Sequence, residues 1–138
     1  MALFNDSISI NSILGNGSSI KGNIQINGFA RIDGDIDGNI YAQGNIIIGE
    51  NARIRGNITA KSVTVIGGIV LGDIIAPEFV KLLSSCAVIG DIQTRKFQSD
   101  ENTVLHGYCI SLDEEAEYAA AVSKWENLKA ISSMSIRI

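Results

Sequence analysis

Residues 54–58 read IRGNI, and the same pattern of a branched residue, any residue, Gly, Asn or Asp, and Ile recurs along the chain. The other copies are IKGNI (20–24), IDGNI (36–40), VLGDI (70–74) and VIGDI (88–92), with a degenerate sixth copy, LHGYC, at 105–109. Successive glycines of the motif lie 16, 18, 16, 18 and 17 residues apart. This regular spacing, with matched flanking residues, indicates a repeat protein.

The length of the period predicts the kind of repeat. Short runs of β-branched residues such as NIIIG (45–49) and SVTVIG (62–67) lie between turn residues within each period, which is typical of strands. A helical solenoid needs a longer period with 3.6-residue patterning. A period near 17 therefore predicts one coil of a three-sided parallel β-helix. Coils stack about 4.8 Å apart, so six of them form a rod roughly 25–30 Å long.

Each position of the motif has a predicted role. The residues two before and two after the glycine share one face of a strand and fill the core, while the glycine permits a sharp bend or a positive φ. The predicted core repeat comprises Ile24, Ile40, Ile58, Ile74 and Ile92 with Gly22, Gly38, Gly56, Gly72 and Gly90. An outward ladder follows at Asn23, Asn39, Asn57, Asp73 and Asp91. The ladder is either a binding surface or turn chemistry, and the tolerance of Asn and Asp for left-handed geometry favours the turn.

Composition limits the class of protein. The chain is 46% hydrophobic but only 6% aromatic and carries a net charge of −4, which argues against a nucleic-acid partner because that needs a clustered basic face. The start, MALFNDSISI, has no signal-peptide pattern, and no stretch reaches the length of a membrane span. We therefore expect a cytoplasmic protein. Cys86 and Cys109 form no disulfide framework or metal motif and are expected to be reduced, buried thiols.

Three features come close to known chemical motifs. DGDIDG (33–38) matches the first half of a calcium loop, but Gly44 stands where the bidentate Glu should be, so an acidic strand face with three outward aspartates is favoured. GNGSSIKG (15–22) has the glycine spacing of a phosphate loop but lacks the Lys and Ser/Thr that should follow, which excludes nucleotide binding there. His106 is the only histidine. We predict no catalytic residue, no metal site and no cofactor.

The C-terminal segment changes character. LDEEAEYAAAVSKWENLKAI (112–131) has its acidic residues first and lysines later, as the helix dipole prefers. Tyr118, Ala121, Val122, Trp125 and Leu128 form one apolar stripe, which predicts an amphipathic helix of about five turns. The helix either covers the end or flank of the rod as a cap or docks a partner. The predicted organisation is a tail (1–12), a β-helix (13–111) and a helical tail (112–138).

The repeat, with RIDGDIDGNI (31–40) and IIIGENARIRGNITA (46–60), resembles the bactofilins, a bacterial polymer-forming cytoskeletal family, over roughly residues 13–110. The resemblance implies an all-β protein, a right-handed, three-sided parallel β-helix of about six coils. It also implies polymerisation without nucleotide into non-polar filaments that position cell-wall enzymes and influence cell shape. The implied partners are copies of itself and cell-wall enzymes or inner-membrane proteins. The implied location is the cytoplasm, including the cytoplasmic face of the inner membrane.

Each end of such a rod exposes an unpaired coil, which is a template for another chain. We expect the N-terminal junction at Ile8, Ile10, Ile13 and Leu14, and the C-terminal junction at Leu105, Tyr108, Cys109 and Ile110. Leu3 and Phe4, with no basic residue nearby, predict at most a weak membrane contact, useful only through many subunits.

Two other functions stay open at this level. Left-handed β-helix acyltransferases repeat every six residues, 18 to a coil, and need a catalytic His, for which His106 is the lone candidate. Two of the spacings found here are 16, which is not a multiple of six. A monomeric binding module that uses the acidic ladder is the third possibility.

Overall fold

The computed structural model describes residues 10–111 and 115–136, with side chains described for 12–111 and 116–128. Residues 10–111 form a β-helix of six coils, each made of three short strands, and a single helix follows. Strands at equivalent positions of successive coils pair in parallel and build three six-stranded sheets. The predicted three-sided architecture and its six coils are confirmed.

The strands are numbered along the chain, three to a coil. Sheet 1 contains β1 (Ile10–Leu14), β4 (Phe29–Ile32), β7 (Asn45–Ile48), β10 (Ser62–Val65), β13 (Phe79–Leu82) and β16 (Phe97–Ser99). Sheet 2 contains β2 (Ser19–Lys21), β5 (Asp35–Asp37), β8 (Arg53–Arg55), β11 (Ile69–Leu71), β14 (Ala87–Ile89) and β17 (Val104–His106). Sheet 3 contains β3 (Ile24–Ile26), β6 (Ile40–Ala42), β9 (Ile58–Thr59), β12 (Ile74–Ala76), β15 (Ile92–Thr94) and β18 (Cys109–Ser111).

The core is a stack of equivalent residues. Ile40 pairs with Ile24 on one side and Ile58 on the other, so each branched side chain rests on its copy in the next coil. The predicted core isoleucines from Ile40 to Ile92 are fully buried, whereas Ile24, in the first coil, is half-buried. Each fully buried Ile contributes about 1.5–3 kcal/mol. The repeat thus stabilises the fold by stacking like on like along one narrow core.

The glycine of each motif lies at the corner between sheets 2 and 3. In IRGNI, Ile54 belongs to β8 and Ile58 to β9, so the expectation that both lie on one strand is wrong, whereas the predicted bend is confirmed. Gly56 has φ +151°, a conformation essentially reserved for glycine. A Cβ there would overlap the carbonyl oxygen of Gly38, one coil before, and lie 2.6 Å from its carbonyl carbon. Backbone conformation and close coil stacking both require glycine.

The Asn and Asp ladder ties successive coils together. The side-chain oxygen of Asn39 accepts a hydrogen bond from the backbone N–H of Asn57 at 2.9 Å. Equivalent bonds of 2.9–3.0 Å join Asn23 to Asn39, Asn57 to Asp73, Asp73 to Asp91, and Asp91 to Tyr108. The expectation that these residues act through left-handed geometry is wrong, since the described non-glycine residues with positive φ are Ser85 and Asn102. The ladder's role is inter-coil hydrogen bonding.

The acidic run at 33–38 is arranged around arginines. Asp35 and Asp37 lie on β5, but Asp33 lies in the corner before it, so the expectation of three aspartates on one strand is wrong for Asp33. The Arg31 Nε donates to Asp33 at 2.8 Å, and Arg53 Nη2 donates to Asp35 at 3.0 Å. Among residues 10–111 and 115–136, no group of three or more His, Cys, Asp or Glu could hold a metal ion.

The helix α1 spans Glu115–Ile136. It begins three residues later than the predicted segment and extends five residues beyond it, and the prediction of a long C-terminal helix is confirmed. Four members of the apolar stripe, Tyr118, Ala121, Val122 and Trp125, are half-buried, whereas Leu128 is 48% exposed. The stripe therefore contacts the rod over its first two to three turns.

Candidate functional site: the two ends of the β-helix

The N-terminal end leaves the core uncovered. Leu14, Ile20 and Ile24 occupy inward positions in coil 1 because they pair with core residues of coil 2. Those core partners are at most 2% exposed, whereas Leu14 and Ile24 are only half-buried and Ile20 is 37% exposed. The difference arises because no coil lies before coil 1 in the described chain. This end is an apolar surface bordered by strand edges.

The residues predicted for this end are placed unequally. Leu14 points inward, but Ile13 pairs with an outward residue, Arg31, and is 68% exposed on the outside of sheet 1. Ile10 begins β1, so residues 10–12 belong to the first coil rather than to the expected tail. Ile8 lies outside the described residues. Sequence reasoning did not assign Ile20 or Ile24 to the end, although each occupies a core position in the first copy of the motif.

The C-terminal end has the same construction. Phe97, Leu105 and Cys109 hold inward positions of coil 6, since they pair with Val80, Val88 and Ile92. Those three partners are fully buried, whereas Phe97 and Leu105 are half-buried and Cys109 is exposed. Helix α1 therefore does not close the end of the core. The sequence prediction did not include Phe97 at this end because Phe97 precedes the motif. Only its pairing with Val80 shows that it holds an inward position.

Two other residues predicted for the C-terminal end lie on the flank. Tyr108 occupies the ladder position and is 66% exposed. Ile110 pairs with Gln93, and both lie between the inward-facing residues of their strands, on the opposite face of sheet 3. Helix α1 contacts β18, and its Trp125 ring meets the Tyr108 ring with 4.6 Å between the centroids and 54° between the planes. The helix thus lies against the flank of coil 6.

The two cysteines differ in environment. Cys86 is buried, but Cys109 is exposed, so the expectation of two buried thiols is wrong for Cys109. Desolvation by burial raises the pKa of both thiols above the ordinary value. A raised pKa lowers the thiolate fraction at neutral pH, which makes both weak nucleophiles.

His106 is exposed at the end of β17 and pairs in register with Ile89 on the outside of sheet 2. Leu3 and Phe4 lie outside the described residues. Within the described parts of the chain, no helix is long and apolar enough to cross a membrane.

The chain is similar in sequence and in structure to known proteins. The family model described as "Bactofilin: Polymer-forming cytoskeletal" matches residues 12–110, which are the six coils. The solved structure titled "Atomic structure of the cytoskeletal bactofilin BacA revealed by solid-state NMR" is similar, with a TM-score of 0.63 and 25% identity over 72% of this chain and 93% of that chain. No curated protein is significantly similar. The chain belongs to the bactofilin family of polymer-forming cytoskeletal proteins.

Proposed function

We propose that this chain assembles end to end, without nucleotide, into non-polar filaments that serve as a cytoskeletal scaffold. The single observation that carries the proposal is that both ends of the core are apolar and that the described part of the chain leaves them uncovered. The family is polymer-forming, and the ends of the rod are where a stacked core is able to continue into a second copy.

The driving force is burial of the end residues together with strand pairing. Leu14, Ile20 and Ile24 at one end, and Leu105 at the other, keep part of their side chains exposed. Completing the burial of an aliphatic side chain stabilises the buried state by a fraction of about 1.5–3 kcal/mol. The edge strands of coils 1 and 6 also offer backbone groups to a partner strand. These terms need no chemical energy source, which supports assembly without nucleotide.

The ladder supports junctions between like ends. Every coil from 1 to 5 presents a side-chain oxygen to the next coil's backbone, and the last such acceptor bonds to Tyr108. Tyr108 has no oxygen near its own backbone to pass to a following coil. Stacking coil 6 on coil 1 of another copy would break the ladder at that point. Two-fold junctions between like ends do not require the ladder to continue, and alternating junctions give a non-polar filament.

The cellular role follows from the family and from the form of the polymer. A filament presents each surface feature once per subunit, so it recruits cell-wall enzymes or inner-membrane proteins through many weak contacts. Leu3 and Phe4 supply a weak membrane contact that becomes effective along a filament at the cytoplasmic face of the inner membrane. Liposome co-sedimentation of the full chain, compared with a variant lacking residues 2–5, tests this part; equal binding by both would contradict it.

End-blocking substitutions test the assembly. Purified protein without nucleotide should form filaments in electron micrographs. Leu14→Glu should leave dimers joined at the C-terminal ends, Leu105→Glu should leave dimers joined at the N-terminal ends, and the double variant should be monomeric by light scattering. Tyr41→Glu, on an outer face where the side chain is 47% exposed, is the matched control and should still form filaments.

The outcomes separate the two parts of the proposal. Head-to-tail assembly predicts monomers from either single variant, so that result would overturn the non-polar filament. Wild-type protein that remains monodisperse at high concentration would overturn polymerisation itself. Circular dichroism of each variant should match the wild type, because the substituted side chains are partly exposed in the wild type and those of Leu14 and Leu105 lie in the end coils.

A further inference from the structure

The outside of sheet 2 changes character halfway along the rod. In coils 1–3 its outward side chains are mostly charged: Lys21, Asp35, Asp37, Arg53 and Arg55. In coils 4–6 they are mostly apolar, and five of them form what we term the sheet 2 patch: Ile69, Leu71, Ala87, Ile89 and Val104. Within the patch the exposed fraction is 42% for Ile69, 47% for Ile89 and 56% for Val104.

The patch is contiguous, unlike the outward rows of the other two sheets. Arg31 and Lys81 interrupt the aliphatic residues outside sheet 1, and Gln25 and Thr59 interrupt the row outside sheet 3. Helix α1 contacts β18 of sheet 3 and leaves the sheet 2 patch exposed. A contiguous apolar surface beside a charged one marks an interaction site.

We propose that the sheet 2 patch binds the same patch of a second copy, with the two rods antiparallel and coil 5 opposite coil 5. A two-fold axis along the strand direction then sets Ile89 against the partner's Ile89 and Ile69 against the partner's Val104. The contact is separate from the ends of the rod and joins filaments side by side.

Charge excludes the parallel arrangement of the same two faces. With the rods parallel, a two-fold axis along the rod sets Asp35 against the partner's Asp37 and Arg53 against the partner's Arg55. Like charges placed directly opposite each other repel. In an isolated pair of subunits, the antiparallel arrangement centred on coil 5 leaves coils 2 and 3 outside the overlap, so their charges remain in water.

An antiparallel contact through the charged half is also disfavoured. That half carries a concavity of about 430 Å³, lined by both charged and apolar residues, which ends at Ile69 and Leu71. A second copy centred there would leave the concavity unfilled, would desolvate Asp35 and Arg53, and would leave much of the patch exposed. The cost of desolvating such charges offsets their attraction.

The size of the patch sets the strength of the contact. Its half-exposed aliphatic side chains offer on the order of 300 Å² per copy, below the roughly 800 Å² per partner of a standard interface. One pair of subunits therefore binds weakly. Filaments present the patch repeatedly, and simultaneous contacts multiply the strength. Only this gain in binding strength between filaments rests on the proposed end-to-end assembly. The geometry of the antiparallel pair does not depend on it.

Ile89→Asp tests the patch in filaments of the full chain. It sets two carboxylates opposite each other at the two-fold axis, and we expect laterally paired filaments in electron micrographs of wild type and single filaments of the variant. Tyr41→Asp, with equal exposure on sheet 3, is the matched control and should keep the pairs. Paired filaments of Ile89→Asp, or single filaments of wild type, would overturn the proposal.

Crosslinking tests the geometry independently of filaments. In a Cys109→Ser background, Ile89→Cys should give a covalent dimer when treated with a short bis-maleimide. The dimer yield should be at least tenfold higher than that of Tyr41→Cys. The same difference should appear at high concentration in the end-blocked Leu14→Glu/Leu105→Glu variant. Equal yields would overturn the antiparallel pair. A different outcome is that Ile89→Asp leaves filament pairing unchanged but abolishes binding to vesicles or to a protein from a lysate. That result would assign the patch to a membrane or another protein and would also overturn the proposal. Wild type without filaments but with the Ile89→Cys dimer would refute only the end-to-end assembly.

Discussion

Gly56→Ala places a methyl group where two coils leave no space for one. The left-handed φ costs about 1–3 kcal/mol for a residue with a side chain. The new Cβ would overlap the carbonyl oxygen of Gly38, and since such atoms rest about 3.5 Å apart, coils 2 and 3 must separate locally by about 1 Å. The bonds from Ile40 N to Asn57 O and from Gly38 N to Arg55 O, both 2.9 Å, then lengthen beyond their range, at about 0.5–1.5 kcal/mol each.

The expected loss is thus about 2–6 kcal/mol, a large part of the roughly 5–15 kcal/mol that stabilises a domain. Gly22→Ala is the matched control: Gly22 has φ +117°, but nothing lies within 4 Å of an added Cβ. It should lose only the conformational term, about 1–3 kcal/mol. The assay is urea denaturation by circular dichroism in the Leu14→Glu/Leu105→Glu background. Losses that agree within about 0.5 kcal/mol would refute the argument from coil stacking.

Three further predictions use the same structure. Asn57→Ala should lower the free energy of unfolding by about 0.5–1.5 kcal/mol, because a backbone N–H of the next coil loses its acceptor. Asn57→Asp keeps the acceptor, so its free energy of unfolding should lie within about 0.5 kcal/mol of wild type in the same denaturation assay. In end-blocked protein Cys109 should be alkylated without unfolding and Cys86 only after it, both more slowly than a free thiol at pH 7. Because burial raises the pKa of Cys109, its rate should rise at a higher pH than the rate of a free thiol. Mass spectrometry of labelled peptides measures this, and a rate that rises at the same pH as that of the free thiol would contradict it. Burial also raises the pKa of Tyr118. Trp125→Ala loosens the helix from the rod, so it should lower the pKa of Tyr118 toward its ordinary value in an NMR titration. An unchanged pKa would show that the helix packs without Trp125.

The repeat made the fold predictable because a β-helix uses one local solution many times. Each coil needs branched residues at inward positions and a glycine at the tight corner, so the glycine spacing alone indicates the coil length and number. The errors came from positions whose role depends on the neighbouring coil. The residues flanking Gly56 were assigned to one strand, and the ladder was assigned to turn geometry, because the sequence contains no direct sign of what lies 4.8 Å above or below a residue.

The candidate site was predicted only in part. The sequence indicates that an unpaired coil lies at each end, and it identified Leu14 and Leu105 as apolar residues there. It did not distinguish inward from outward positions in the end strands, so Ile13 and Ile110 were included while Ile20 was omitted. The alternation of faces restarts at each corner, and the corner lengths vary with the coil, so only the register of the sheets assigns these residues.

By itself the sequence determined the repeat, the family, the three-sided coil and the C-terminal helix, since each follows from short-range patterns of branched residues, glycine and charge. The tertiary structure alone decided which side chains remain exposed at the ends, where the helix lies, and that the outward residues of sheet 2 form a charged half and an apolar half. Those residues are 16–18 positions apart in the chain and become neighbours only when the coils stack. The surfaces through which this protein meets other copies are therefore properties of the stacked rod.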